Sequence, residues 1–347
     1  MPRLAPLGAL LAAAAAVAVV LLPFVVLKSN RILPGDPRGL LDVLPAWGAL
    51  GCQAILLCAA IAALGVSSAR VRLGAALLGV AAVALAVAAA GDALTPAGNK
   101  VVRVAPGAGV WVLLVCLGLL ATDAITRMRP GPGRRVLLLA VFSALAGLAL
   151  AHGTFDHLSV MREYAVNADR FAREARQHLW LALGSLAAAV VVALPIGILC
   201  HRVPRLRAGV LGTLNVIQTI PSIALFLYSL LPIAANTVAG LKRVPRAAVE
   251  AARGMGMTNW QVLTGVELVL ALPVILTGIR IVLVQNIGMV TIAALIGGGG
   301  LGTFVFQGIG QTAIDLVLLG AIPIVALAFS AAVVLDALVE LMDRARQ

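Results

Sequence analysis

Residues 179–200 read LWLALGSLAAAVVVALPIGILC, an apolar stretch without a single charged side chain. As an α-helix this stretch is about 33 Å long at roughly 1.5 Å per residue, enough to cross a hydrocarbon core of about 30 Å. Its leucine, alanine and valine residues follow one another without the apolar–polar alternation of a barrel strand. The stretch therefore predicts a transmembrane helix.

The rest of the chain repeats this pattern. Mean hydropathy over the 347 residues is +1.07 and only 12% of residues are charged, far from the composition of a soluble domain. We predict an all-α fold, a polytopic transmembrane helical bundle. Further apolar stretches lie at 7–27, 43–66, 73–90, 108–122, 136–153, 208–241, 266–290 and 316–342.

The first apolar stretch, 7–27, follows Arg3 and is rich in alanine, as a signal peptide would be. It is longer than a typical signal core, and no clear small-x-small cleavage site precedes Lys28. We interpret it as a retained helix.

Three short loops between apolar stretches are rich in arginine. They lie at 70–72, 127–135 and 202–207. By the positive-inside rule all three face the cytoplasm. The same rule accounts for the net charge of +12, so we expect no nucleic-acid partner.

A polar segment at 155–178 separates two parts of the chain. Its apolar residues recur every three or four positions and its charges nearly balance, which is typical of an amphipathic helix along a membrane surface. The loop order places this helix outside the cell. We therefore expect an N-terminal extension at 1–175, with about five spans and the external helix, and a core at 176–347.

The charge-free run at 208–241 does not fit a single crossing. As a helix it would be about 51 Å long, too long for one upright crossing and too short for two complete ones with a turn. The basic residues that follow it, from Lys242, belong in the cytoplasm together with the loop at 202–207. Pro221 and Pro232 would break the run into a shallow hairpin that returns to the cytoplasm. The alternative is a missing helix.

Residues 250–256, EAARGMG, form a polar patch in this apolar chain. Alanines around Glu250 favour a helix, and a negative charge is favourable in its early turns. We predict a short cytoplasmic helix at 249–257, which Gly254 and Gly256 end in a sharp reversal. Small side chains followed by a glycine turn suit insertion into a groove of a partner protein, whereas an ordinary solvated loop is the alternative.

This patch resembles the EAA signature of ABC importer permeases, in which Glu-Ala-Ala is followed after three residues by glycine. LNVIQTIPS at 214–222, VELVLALPVILTGIR at 266–280 and AALIGGGGLG at 293–302 resemble permease subunits of osmoprotectant importers for glycine betaine, choline and related compounds. The early spans, with LSVMREYA at 158–165, resemble the branch with an N-terminal multi-helix extension. The resemblance implies a type I ABC importer permease core in the bacterial inner membrane.

The resemblance also implies how such a chain is driven. In that family the EAA loop, here 242–265, docks in a cleft of a separate cytoplasmic ATPase, whose ATP-driven closure rocks the membrane helices. The implied partners are this ATPase, an extracytoplasmic substrate-binding protein, a second permease copy and membrane lipid. ATP is used by the ATPase, and we expect no cofactor, metal or catalytic group in this chain, which has no GxxxxGK[ST] motif. The coupling residues carried over are Glu250, Ala251, Ala252, Gly254 and Gly256.

Two departures from the family pattern affect the core. Val269 stands where a proline usually follows VEL, although Pro273 is kept, so we expect a less bent helix after the coupling loop. The motifs IQTIPS at 217–222 and YSLLP at 228–232 are fused here, whereas the family has about one further helix and a loop between them. We infer an internal deletion near 222–225.

Polar side chains within the core spans are candidates for lining a transport pathway. A helix–helix hydrogen bond explains each at least as well, and an ion pair or snorkelling explains the arginine. Quaternary ammonium ligands are commonly held by aromatic cages, but only 4% of residues are aromatic and the sequence shows no cluster of them. By resemblance, the tight substrate site belongs to the separate binding protein. The pathway candidates are Gln218, Asn236, Arg280, Gln285, Asn286 and Thr291.

Gly297, Gly299 and Gly302 satisfy GxGxxG, but the pattern follows an apolar run and leads into no Rossmann helix. We expect an irregular turn near the outer end of the pathway, or tight helix packing through glycine.

Two other functions remain open at this stage. An ion-coupled secondary transporter would carry an acidic residue deep in a span and paired broken helices, neither of which is evident, and it would leave the EAA loop unexplained. If the inferred deletion has abolished the pathway, the chain is a non-transporting remnant.

Overall fold

Helices dominate the computed structural model of this protein, which describes residues 6–30, 35–96, 98–99, 101–217 and 224–344. Seven of the described helices are long and apolar enough to cross a membrane. The predicted polytopic helical bundle is therefore confirmed.

Six helices precede the polar segment of the chain. They are α1 (Pro6–Leu21), α2 (Leu40–Val43), α3 (Ala46–Gly65), α4 (Ala69–Leu94), α5 (Ala108–Met128) and α6 (Pro132–Ala151).

Eight helices follow. They are α7 (Ser159–Arg202), α8 (Pro204–Ile217), α9 (Ala224–Lys242), α10 (Arg246–Gly254), α11 (Asn259–Val262), α12 (Leu268–Ala293), α13 (Gly302–Gly310) and α14 (Ile314–Arg344), with a π-helical stretch at Leu263–Glu267 and a 3-10 turn at Ala294–Ile296.

The internal contacts divide the chain into two units. The N-terminal unit comprises Met1–Gly131, Val141–Val166 and Gln311–Asp315, and the C-terminal unit comprises Pro132–Ala140, Asn167–Gly310 and Leu316–Gln347.

Four helices of the N-terminal unit, α1, α3, α4 and α5, pack together around a core of small and branched apolar residues. Close approach is required where α5 begins, because the Gly107 N–H donates to the Phe24 carbonyl at 2.8 Å. A Cβ atom on Gly107 would lie 2.2 Å from the Pro23 carbonyl oxygen. Only glycine therefore fits at the amino end of α5.

A three-stranded antiparallel sheet, which the sequence analysis did not predict, accompanies these helices. Its strands are β1 (Val25–Lys28), β2 (Asp36–Arg38) and β3 (Arg103–Pro106), in the order β2–β1–β3. The predicted span at 7–27 thus divides, because Pro23 disfavours helical backbone in the residue before it. Strands of three or four residues are too short to show a period-two pattern in sequence.

A buried ion pair ties helix ends together in the N-terminal unit. Arg72 near the start of α4 lies 3.0 Å from Asp123 of α5, and only 4% of the Arg72 side chain is exposed. Arg72 also donates to the Ala63 carbonyl near the end of α3 at 3.3 Å. An arginine that we assigned to a cytoplasmic loop is therefore also a packing residue.

α7 consists of two helical parts that meet at a kink at Asn167, which has non-helical backbone angles. The part after the kink continues from the polar segment into the following span, where we expected a separate external helix and span. No glycine or proline separates the amphipathic pattern from the apolar stretch at 179–200, so the helix continues through their junction.

In the C-terminal unit, α9 and α12 pack closely and run antiparallel. A Cβ atom on Gly278 of α12 would lie 2.8 Å from the Asn236 Cβ atom, and one on Gly240 of α9 would lie 2.9 Å from the Ala271 carbonyl oxygen. Two glycines at separate levels thus allow the two helices to approach closely.

The charge-free run at 208–241 is divided between α8 and α9, which pack against each other. Leu214 of α8 and Leu230 of α9 belong to one buried cluster, so the chain doubles back between them. The predicted break at Pro232 is wrong, because α9 continues through this residue, and Pro221 lies outside the described residues. Residues 218–223, which include half of the proposed deletion point at 222–225, lie outside the described part of the chain.

Candidate functional site

The EAA patch forms the short amphipathic helix α10, as predicted from its alanines. Ala252 points inward and is 1% exposed. Glu250, Ala251 and Arg253 are exposed. The helix is thus anchored through one small side chain and presents its charged face to the surroundings.

A glycine turn follows α10, which confirms the predicted reversal. The helix ends at Gly254, and Gly256 adopts a left-handed φ of 83°. The Met257 N–H donates back to the Ala252 carbonyl at 3.2 Å. Next, the Thr258 N–H donates to the Gln261 side-chain oxygen at 2.8 Å, which caps the start of α11.

Two large apolar side chains beside α10 were missed by the sequence analysis. Met255 is 76% exposed and Trp260 is 71% exposed. Met255 lies outside the candidate spans, whereas Trp260 lies in the first turn of the candidate span Asn259–Ile296, a position where tryptophan is common at the membrane interface. We interpret both side chains as candidates for contact with a partner protein. The sequence signal that could have identified Met255 is its position as an apolar residue between two glycines in a polar patch. We call Glu250, Ala251, Arg253, Met255 and Trp260 the α10 surface.

The chain passes from α11 into α12 through the π-helical stretch Leu263–Glu267. We had expected a less bent connection because Val269 replaces a proline; the structure instead has a locally widened helix at this point. Glu267 in this stretch is almost fully buried and accepts a hydrogen bond from Arg202 at 2.7 Å. This charged pair joins the end of α7 to the base of α12.

The α10 surface lies at the same end of the C-terminal unit as the basic end of α7. Leu194 and Ile198 of α7 pack with Leu241 of α9 and with Val244, just before α10. The hairpin of α8 and α9 thus returns the chain to the level of Arg202. If that arginine-rich end is cytoplasmic, α10 is cytoplasmic too.

This arrangement predicts the sidedness of Asn259, an exposed residue next to the α10 surface. In a variant without native cysteines, Asn259→Cys should react with a membrane-impermeant maleimide in inverted vesicles and not in intact cells. Arg173→Cys, at an exposed position on the amino-terminal half of α7, is the matched control and should show the opposite pattern. Labelling of Asn259→Cys in intact cells would contradict the hairpin.

Asn286, one of the pathway candidates, lies in a buried polar network. Its side-chain oxygen accepts a hydrogen bond from Ser229 of α9 at 2.9 Å, and its amide nitrogen donates to Ser185 of α7 at 2.9 Å. Only 1% of Asn286 is exposed. In this conformation the residue joins three helices through interhelical hydrogen bonds.

Arg280, the ionisable residue among the pathway candidates, is paired. Its guanidinium contacts Asp336 of α14, and Arg135 donates to the same carboxylate at 2.6 Å. Arg135 also contacts Glu340. The structure therefore places Arg280 in a charged cluster of α6, α12 and α14, the ion-pair alternative of the sequence analysis.

The remaining pathway candidates are dispersed. The Asn236 amide donates to the Pro232 carbonyl within α9 at 2.8 Å, Gln285 and Thr291 are half-buried on α12, and Gln218 lies outside the described residues. Among the described residues, no hydrogen bond or ion pair connects one pathway candidate with another. Their role in a pathway stays a prediction.

The glycine-rich segment after α12 forms an irregular turn, as predicted. Gly297, Gly299 and Gly300 all have left-handed φ angles, between 73° and 87°. The turn lies at the end of α12 opposite to the α10 surface.

Two family models match this chain. Residues 5–161 match the model described as ABC transporter permease YehY, N-terminal domain. Residues 189–347 match the model described as binding-protein-dependent transport system inner membrane component.

Several proteins share substantial identity with this chain. It is 42% identical over 171 positions to the carnitine transport permease protein OpuCB of Listeria monocytogenes, which covers 44% of this chain and 78% of that protein. It is 41% identical over 186 positions to the osmoprotectant import permease protein OsmW of Salmonella typhimurium, with coverages of 47% and 86%. It is 38% identical over 206 positions to the choline transport system permease protein OpuBD of Bacillus subtilis, with coverages of 54% and 89%.

Proposed function

Since the chain belongs to the family of binding-protein-dependent transport system inner membrane components, we propose that it is the permease subunit of an ATP-driven importer for osmoprotectants such as glycine betaine, choline or carnitine. It is a multi-pass protein of the inner membrane. The substrate class is supported by the transport described for its relatives.

The single observation that carries the mechanism is the α10 surface. A short helix is anchored through Ala252, is followed by a glycine turn with left-handed backbone and leads through a π-helical stretch into α12. A force applied to α10 is therefore transmitted along continuous backbone into a membrane-spanning helix. The docking face for a separate cytoplasmic ATPase consists of Glu250, Ala251, Gly254, Gly256, Met255 and Trp260.

The division of labour among subunits follows from this mechanism. The ATPase binds and hydrolyses ATP, and this chain acts as a transport subunit, not as an enzyme, with no cofactor of its own. An extracytoplasmic binding protein delivers the solute. A second permease copy, surrounded by lipid, completes the pathway, because an ATPase dimer presents two equivalent docking clefts.

A non-transporting remnant is the second candidate function, and the alignment with OpuCB is compatible with it. That alignment has 171 positions, more than 44% of this 347-residue chain, so it includes positions at which this chain has no residue. A deleted core crossing between α8 and α9 would account for such positions.

Uptake by the importer in proteoliposomes distinguishes these functions. With its ATPase and binding protein, the chain should accumulate radiolabelled glycine betaine when ATP is supplied, and uptake should fall to background when the P-loop lysine of the ATPase is replaced. Uptake that continues with the disabled ATPase would reject ATP-driven import. ATP hydrolysis without uptake of glycine betaine, choline or carnitine would identify a remnant.

A further inference from the structure

The end of the C-terminal unit opposite to the α10 surface contains two aromatic rings that are distant in sequence. Phe171 of α7 and Phe304 of α13 have ring centroids 6.1 Å apart with an interplanar angle of 33°. The sequence showed no cluster of aromatic residues, and the structure corrects this reading at one place. Aromatic faces of this kind attract organic cations.

A cation already lies on one of these rings. The guanidinium of Arg170 lies over Phe304, 5.0 Å from the ring centroid, and donates to the Gln307 side-chain oxygen at 2.7 Å. Phe304 is fully buried, whereas 37% of the Arg170 side chain is exposed. Arg170 therefore covers the ring from the solvent side and occupies the position at which an organic cation would bind.

A carboxylate lies beside this cation, at the glycine turn. The Gly300 N–H donates to the Glu174 carboxylate at 2.7 Å. Gly299 and Gly300 both have left-handed φ angles, a backbone form that turns N–H groups toward an anion. A Cβ atom on Gly299 would lie 3.3 Å from the Glu174 carboxylate oxygen, so the absence of a side chain permits this close approach.

Arg170 and Glu174 together reproduce the chemistry of a zwitterion. One group is a delocalised cation on an aromatic face, and the other is a carboxylate on a backbone N–H, within 3.9 Å of each other. We propose that this cluster is a low-affinity site for a quaternary ammonium carboxylate, and that Arg170 and Glu174 fill it when no solute is bound. The proposal rests on the proposed function, since it specifies where the permease would receive an osmoprotectant.

The internal pair is suited to being displaced. Its two groups are one helical turn apart, their 3.9 Å separation is long for a salt bridge, and both side chains are partly exposed. Such pairs are weak because water solvates the separated charges well. Once Arg170 releases Gln307 and Glu174 releases the Gly300 N–H, both side chains can rotate into solvent and leave the Phe304 face and the Gly300 N–H to a solute.

Equilibrium dialysis of the full-length chain in nanodiscs, without ATPase or binding protein, tests the site with radiolabelled glycine betaine and choline. Glu174→Ala frees the Gly300 N–H and should tighten glycine betaine binding about tenfold while leaving choline, which lacks a carboxylate, unchanged. Arg170→Ala uncovers Phe304 and should tighten binding of both solutes. Phe304→Leu in the Arg170→Ala background should remove that gain.

Arg173→Ala is the matched control, because Arg173 is an exposed arginine on the same helix, and neither affinity should change. Three outcomes would overturn the proposal. They are equal changes in affinity for the two solutes in Glu174→Ala, a change in Arg173→Ala as large as that in Glu174→Ala, and no binding of glycine betaine at millimolar concentration by any variant. The comparison of glycine betaine and choline affinities in Glu174→Ala tests the proposal even if Phe304→Leu fails to fold. If uptake is normal but the variants do not show the predicted affinity changes, the site is rejected and the proposed function stands. If the affinity changes are found but uptake does not depend on ATP, the proposed function is rejected and the site stands.

Discussion

Gly256→Val should reduce ATP-dependent uptake by about tenfold or more, because the turn after α10 requires a left-handed backbone. Gly256 has a φ of 83°, a region in which a β-branched residue is strained by roughly 1–3 kcal/mol. No atom lies within 4 Å of the position of its missing Cβ, so backbone conformation alone opposes the substitution. The chain would relieve this strain by changing the angle of α10, and the ATPase stroke would no longer enter α12 correctly.

Gly254→Ala provides the matched control for this prediction. Gly254 is also exposed, also has no atom within 4 Å of the missing Cβ, and lacks a positive φ. Alanine is favoured over glycine in a helix, so uptake should be retained. The measurement is initial uptake at equal membrane content of permease. Equal activity of the two variants would show that the reversal at Gly256 is not needed for coupling.

Arg202→Ala should destabilise the C-terminal unit by about 3 kcal/mol, because it leaves a buried carboxylate without its cation. Only 7% of the Glu267 side chain is exposed, and Arg202 donates a hydrogen bond to its carboxylate at 2.7 Å. Removing one member of a buried pair costs more than the pair itself contributes. The apparent melting temperature of the purified chain should fall by about 5 °C or more.

An exposed pair of the same chemical type is the control. Arg38 and Asp36 lie 3.5 Å apart, with side-chain exposures of 46% and 75%, so Arg38→Ala should change stability by less than about 1 kcal/mol. The exchange of both charges, Arg202→Glu with Glu267→Arg, should recover part of the lost stability. If Arg202→Ala melted at the temperature of the unmodified chain, the pair would have no structural role.

The helices could be predicted because hydropathy acts locally along the chain. A long apolar run must satisfy its backbone hydrogen bonds internally in lipid, so it becomes a helix wherever it lies in the fold. The glycine turn was predictable for a similar reason, since Gly256 permits a backbone conformation that other residues avoid. The length of the run at 208–241 and the charges on either side of it predicted either a hairpin, which α8 and α9 form, or a missing helix.

Features that depend on residues distant in sequence could not be predicted. The buried Arg72–Asp123 pair, the Asn286 network and the approach of Phe171 to Phe304 each join separate helices. The sheet was missed because its strands are too short to show periodicity. The continuation of α7 from the polar segment after Asn167 into the apolar span was missed because a change from amphipathic to apolar pattern resembles a helix boundary, although the backbone need not break there.

The sequence by itself determined that this is a polytopic helical membrane protein and where the chain reverses beside the EAA patch, whereas its assignment as a permease came from the resemblance of its motifs to a known family. Apolar length, loop charge and glycine conformation are properties of short segments, and a linear sequence displays them directly. Only the tertiary structure decided which polar groups are buried partners and which remain exposed, as with Asn286 inside the bundle and Met255 outside it. Burial depends on how helices pack, and that packing brings together side chains separated by more than a hundred residues.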